Sequence, residues 1–310
     1  MFQRVTAIGF NTYREAVRAR ILHGLVGLAV GTLGYSLVVG AYALRNQNRV
    51  VADLGSASIS LYSVVVAIVL GATSLYRELE LKTIFPMLAR PVERGEYLLG
   101  KFLGTLLTLA VFIALNSGLL LCAVGALNGS GLWWPIFAPT ALLAFTFLLA
   151  YRIPLARSSA PPVFALLVLV LGAYLARDAV SESRVILGQA LLTIFEVAIV
   201  SAITLVFASF SSPFLTAVFS LSTFLVGRSA DTLSRLPEHT FGALIKHIGT
   251  VLSRVFPNLM VYVPPRTLLT GEAAGIAYGP YTAAAAAQSL AWTVALLTLS
   301  TLIFRRRDFL

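Results

Sequence analysis

Few side chains in this sequence are arranged for chemistry, and each candidate points to a narrow repertoire. Gly95, Gly100 and Lys101 match G-x-x-x-x-G-K, the beginning of a phosphate-cradling loop. Such a loop needs Ser or Thr after the lysine to hold Mg2+, and a β-strand before the first glycine. Phe102 follows Lys101 and the stretch runs into an apolar segment, so a nucleotide site is rejected here. The histidines are His23, His239 and His247, and the single cysteine, Cys122, lies inside an apolar run. No Cys/His cluster with ligand spacing exists, and no disulfide can form within the chain. One carboxylate, Glu196, lies deep in an apolar run. Acids at such positions are costly and face a cavity or a partner. Glu196 therefore either lines a substrate or gating surface, or acts as a lock that hydrogen-bonds hydroxyls such as Ser201 and Thr204. Paired carboxylates, a Ser/His/Asp set and converging metal ligands are all missing, which argues against a polytopic membrane enzyme.

The elements that carry these residues are membrane helices. The chain is 58% hydrophobic and 12% charged, against roughly 25% charged in a soluble domain. Runs near the ~20 residues needed to span lie at Ile21–Leu44, Ser58–Tyr76, Tyr97–Leu127, Ile186–Phe210, Pro213–Gly227 and Tyr281–Phe304. A further pair, Trp133–Tyr151 and Pro162–Ala176, leaves six or eight spans open. The first run is too long for the apolar core of a secretory signal, so it is expected to remain. The net charge of +10 reads as a topology signal rather than a nucleic-acid footprint, because the basic residues lie in connectors. Arg4, Arg14, Arg18, Arg20, the charged stretch after the second run, Arg152, Arg157 and Arg305–Arg307 outweigh Arg45, Arg49, Arg177 and Arg184 in the short loops opposite. By the positive-inside rule both termini are cytoplasmic.

Three connectors stand out. Residues 1–20 read as an amphipathic helix, with Phe2, Val5, Ile8 and Val17 on one side and Arg4, Asn11, Arg14 and Arg18 on another; such a helix lies in the headgroup layer. The stretch Arg77–Lys101 packs alternating charges (Arg77, Glu78, Glu80, Lys82, Arg90, Arg94, Glu96) around Phe85 and Leu88, and Pro86 and Pro91 divide it into short helical pieces. A compact charged element with apolar pairs is expected to dock a partner rather than merely to connect spans. Residues 228–280 form a long loop opposite, read as amphipathic helices followed by an extended segment. Within the spans, Gly27/Gly31 and Gly100/Gly104 are G-x-x-x-G pairs, which allow helices to approach closely in a bundle or dimer.

In their order along nearly the whole chain, several stretches resemble the permease subunits of bacterial ABC-2 type ABC transporters. They are NTYREAVRAR at Asn11–Arg20, RELELKT at Arg77–Thr83, LARPV at Leu88–Val92, EYLLGK at Glu96–Lys101, FASFSSPF at Phe207–Phe214, FPNL at Phe256–Leu259 and FRRRDF at Phe304–Phe309. The nearest likeness is to the branch grouped with permeases for copper-enzyme maturation. The resemblance implies an all-α polytopic fold with a six-helix, type V exporter-like core and an N-terminal elbow helix. Residues 131–184 depart from that pattern and look like an inserted helix pair. It further implies a bacterial inner-membrane protein in a single transmembrane domain, paired with a second copy through a seam that includes Gly27, Gly31, Phe214, Val218 and Leu225. Two copies of a separate ATP-binding subunit would dock on residues 77–96 and carry the ATP and Mg2+; this chain would hold no cofactor. Accessory periplasmic or membrane proteins are compatible with it, and nucleic acid is not expected. A non-transporting scaffold or signal relay driven by the same ATPase remains a separate reading, which an ATP-binding cassette gene in the neighbouring frame would not distinguish from transport but would separate from an enzyme.

Overall fold

The computed structural model describes residues 2–18, 20–43, 46–80, 93–130, 133–152, 160–235, 238–272 and 277–306. Among these every regular element is a helix. In chain order they are α1 (Phe2–Val17), α2 (Arg20–Tyr42), α3 (Gln47–Glu80), α4 (Arg94–Gly125), α5 (Trp134–Arg152), α6 (Ala160–Leu175), α7 (Val180–Ala208), α8 (Pro213–Arg228), α9 (Ala230–Ser234), α10 (Glu238–Val255), α11 (Arg266–Thr270) and α12 (Tyr278–Arg306). Five of them, α2, α3, α4, α7 and α12, are long and apolar enough to cross a membrane, and α5, α6 and α8 contain shorter apolar stretches.

Helix α7 is the hub. Leu192, Val197, Ile199, Val200 and Ala202 are buried on all sides of it, because α3, α4, α8 and α12 surround it. A helix that is apolar all round has no face to offer to solvent, which is why α7 has the continuous run that α1 lacks. Helices α2 and α12 lie at the periphery, with Leu28, Val38, Leu290 and Leu302 exposed.

The amphipathic α1 does more than rest on a surface. Val5, Tyr13 and Ala16 are buried, and the helix packs on α4. Glycines make this crossing possible: a Cβ on Gly104 would lie 2.3 Å from the carbonyl oxygen of Gly9, and one on Gly100 would lie 2.7 Å from Ile8. The Gly100/Gly104 pair is thus a seam within the chain. The buried stripe is Val5, Gly9, Thr12, Tyr13 and Ala16, displaced from the Phe2–Val17 side suggested by hydrophobicity alone, because small residues at close helix crossings are buried without being strongly apolar. Burial also pushes the Tyr13 phenol up to about 12, so it stays protonated.

Residues 131–184 contain two real helices. On α6, Leu169 and Gly172 lie against Gly118 of α4, and Leu175 lies against Gly125; a Cβ on Gly172 would meet the Gly118 carbonyl oxygen at 2.4 Å. The contacts advance together in number, so α6 runs parallel to α4. Helix α5 must therefore bring the chain back, and its 19 residues give about 28 Å at 1.5 Å per residue. The pair α5–α6 is a return hairpin leaning on α4, and it leaves the direction of every later helix unchanged.

The long connector between α8 and α12 is tied into the bundle. The Leu259 N–H donates to Gly227 at 3.0 Å, the Gln189 side-chain amide to Tyr262 O at 2.9 Å, and the Tyr262 hydroxyl to Ala285 O at 3.2 Å. Ala285 lies roughly 10 Å along α12 from its start. The stretch around Leu259–Tyr262, both wholly buried, therefore dips between α7, α8 and α12 instead of staying on the surface. Burial raises the pKa of the Tyr262 phenol, which keeps it a donor. Helix α10 exposes Leu244, Ile245, Ile248 and Val255.

Candidate functional site

Three places collect the residues singled out by sequence. The first is the corner on the α1 side, where α1, the end of α3, the start of α4 and the end of α12 meet. Arg94 donates to the carbonyl oxygens of Phe304 at 3.0 Å and Arg305 at 2.7 Å. These are carbonyls of the last turn of α12, the positions where a cation satisfies both hydrogen bonding and helix dipole. Glu96 is nearly buried and faces Arg4 of α1 at 3.9 Å. Tyr97 stacks on Phe304 with ring centroids 6.2 Å apart. The rim of the charged segment is thus bound to both chain ends. Arg77, Glu78 and Glu80 continue α3, whereas Lys82, Phe85, Leu88 and Arg90 lie outside the described residues.

Lys101 has a role that its motif did not suggest. It sits in the second turn of α4, fully buried, and its ammonium donates to Ser74 Oγ of α3 at 3.0 Å. Gly95–Lys101 is helix from the outset, not a loop with N–H groups turned toward a phosphate. The signal available in sequence was a lysine one turn inside a span, where a charge needs a polar neighbour.

The second place is Glu196. It is wholly inaccessible. Its Oε1 accepts from Arg228 Nη1 at 2.8 Å, and its Oε2 from Ser60 Oγ at 3.2 Å. Three helices therefore converge on one carboxylate: α3 through Ser60, α7 through Glu196 and α8 through Arg228. The hydroxyls suggested by sequence are not its partners. Thr204 Oγ1 donates to Val200 O, and Ser201 Oγ is buried without a hydrogen bond. Arg228 was assigned to the loop because it follows Gly227. It is in fact the last residue of α8, and its long side chain reaches back into the bundle, as arginine stems can. Its proximity to Glu196 in space had no counterpart in sequence spacing.

The third place is an uncovered face. A Cβ on Gly24, Gly27, Gly31 or Gly34 of α2 would meet nothing within 4 Å, in contrast to the tight crossings at Gly100, Gly104, Gly118 and Gly172. Phe214, Val218 and Leu225 of α8 are exposed on one stripe, together with Leu221. Both faces are open in a single chain.

At the end away from α1, the sequence reading overlooked an ion-pair cluster. Arg266 of α11 pairs with Asp53 of α3 and, at 3.3 Å, with Glu182 of α7. Among the described residues no group of three or more His, Cys, Asp or Glu side chains could hold a metal ion.

The profile of the family described as ABC-2 family transporter protein matches residues 8–309. The chain belongs to the ABC-2 transporter family. No curated protein matches it. As an ABC-2 member it is a multi-pass membrane protein and the permease component of an ABC transporter, a class that generally associates with an ATP-binding subunit and dimerises. The match takes in most of α1, the connector after the second span and the return hairpin α5–α6.

Proposed function

We propose that this ABC-2 permease is the membrane subunit of an ATP-driven exporter, working as a homodimer with two copies of a separate ATP-binding subunit in a bacterial inner membrane. The finer likeness, to the copper-enzyme-maturation branch, rests on the order of the sequence motifs. Both termini face the cytoplasm, where the ATPase docks on Arg77–Glu96 with Phe85 and Leu88 as apolar anchors in a groove. ATP and Mg2+ belong to that partner. The observation that carries this reading is the corner on the α1 side. Arg94, hydrogen-bonded to α12, and Glu96, ion-paired with α1, stand at the end of the docking segment, so a displacement there is passed to the first and last helices of the chain. ATP binding in the partner can then shift the permease between states through contacts that differ in strength between them.

Gly27, Gly31, Phe214, Val218 and Leu225 form the seam between copies, since the α2 glycine face and the α8 stripe are uncovered and allow close apolar packing. Glu196 is a lock rather than a substrate-facing group: its two oxygens are occupied by Arg228 and Ser60, and it sets how α8, a seam helix, stands against α7. The test is reconstitution of the permease with the ATP-binding subunit encoded beside it. Vesicles holding both polypeptides should hydrolyse ATP at a rate that responds to candidate substrate pools. A rate unaffected by the permease would reject the coupling.

A further inference from the structure

A groove of about 460 Å³ opens between α2, α4 and the return hairpin, close to the end of α1. Val26 of α2, Val111 and Leu115 of α4, Leu143 of α5 and Phe164 of α6 form its walls. Its two threonines make no demand on an occupant. Thr108 Oγ1 donates to Gly104 O and Thr146 Oγ1 to Leu142 O, each at 2.9 Å. The interior is therefore an apolar slot within the ordinary size range of ligand sites, without hydrogen-bonding groups that require a polar molecule.

The mouth has the opposite character. Val17, the last residue of α1, Ala160, the first of α6, and His23, early in α2, all line the groove, so the slot begins at the α1 side of the bundle. Arg18 directly follows Val17, and Arg152 closes α5 roughly 9 Å beyond Thr146 along the helix; both are exposed. Glu15, the acid on this part of α1, lines a different cavity with Thr73 and Ser74. An apolar slot whose mouth lies at the end of the amphipathic α1, near exposed basic side chains, suits a molecule with an apolar chain and an anionic head. Basic sites between membrane helices take anionic headgroups.

We propose that this groove holds an acyl chain of an anionic glycerophospholipid from the leaflet on the α1 side, with its phosphate between Arg18 and Arg152. The lipid then fills the space between α2 and the return hairpin. The assay is native mass spectrometry of the full-length protein, exchanged into phosphatidylglycerol or phosphatidylcholine with identical oleoyl chains. One tightly retained phosphatidylglycerol per protomer is expected. Each cation contributes roughly five-fold, so the preference over phosphatidylcholine should exceed about ten-fold and fall below about two-fold in Arg18→Gln/Arg152→Gln. Val111→Trp, which fills the slot, should remove retention of both lipids. Because that variant could misfold, a second measurement uses the wild-type protein: phosphatidylglycerol carrying a photoactivatable diazirine midway along one chain should label peptides containing Val111 and Leu143. Equal retention of the two lipids, unchanged retention in a folded Val111→Trp protein, or label concentrated on the outward face at Leu166 and Val170 would overturn the proposal.

Discussion

Replacing Arg228 with methionine leaves the Glu196 carboxylate in place, fully buried, with Ser60 as its one remaining hydrogen-bond partner. Removing one member of a buried ion pair costs about 3–5 kcal/mol, because the survivor keeps its desolvation penalty without its compensation. Glu196→Gln is a milder change. The amide oxygen can still accept from Arg228 or Ser60, and what is lost is the charge-assisted part of the 2.8 Å contact, about 1 kcal/mol. The stranded guanidinium is about a quarter exposed and can reach polar surroundings along its flexible stem. The double variant Glu196→Gln/Arg228→Met should be no worse than Arg228→Met, and better by about 2 kcal/mol, since the orphaned charge is gone. Thermal or denaturant unfolding of the four proteins in one detergent gives the coupling energy directly. ATP hydrolysis by the reconstituted complex should survive Glu196→Gln in proportion to the folded fraction. Additivity within about 0.5 kcal/mol, or a Glu196→Gln protein that folds like wild type yet has lost its turnover, would refute the lock and return Glu196 to a role that needs its charge.

Single cysteines along α2 and α8, in a background lacking Cys122, should crosslink between copies with helical periodicity that includes Gly27, Gly31 and Leu225; the absence of crosslinks along both helices would remove the seam. Gly27→Ala should leave the stability of the single chain within about 0.5 kcal/mol of wild type while weakening dimerisation in a detergent sedimentation assay. Gly118→Val, in contrast, should destabilise by at least the ~1–3 kcal/mol typical of overpacking, because a Cβ there would lie 2.7 Å from the Leu169 backbone nitrogen; unchanged unfolding would reject the close α4–α6 crossing. Topology reporters fused at Met1 and Leu310 should both report the cytoplasm, and a periplasm-active fusion at either end would overturn the orientation.

The helical class and the positions of the apolar helices follow from composition and run length, which depend on the membrane as a solvent and not on tertiary detail. The hairpin at residues 131–184 was visible as two apolar runs, but its direction was not; that is set by which glycines of α4 meet α6, and G-x-x-x-G spacing does not mark Gly118, Gly125 and Gly172. The same spacing occurs at Gly27/Gly31 and at Gly100/Gly104, yet the first pair is bare and the second is covered by α1. Spacing identifies a surface that can approach closely, while the partner comes from the rest of the fold. Glu196 stood out as an isolated charge, but Arg228 was hidden by its position beyond Gly227, where it read as a loop base. The buried course of Leu259–Tyr262 was equally hidden, because a segment with two flanking prolines carries no periodicity to show which side it buries. Arg266, Asp53 and Glu182 come from three distant parts of the chain, and nothing in their local sequence joins them.

On the function proposed above, the permease is driven through the connector between α3 and α4. The most direct measurement is copurification of the ATP-binding subunit with Phe85→Asp and Leu88→Asp proteins, compared with wild type at equal membrane insertion. A buried aspartate in an apolar docking groove goes uncompensated, so each variant should lose most of the ATPase while still migrating as a folded dimer. Recovery of the ATPase at the wild-type ratio from both variants would contradict the account and move docking to another surface.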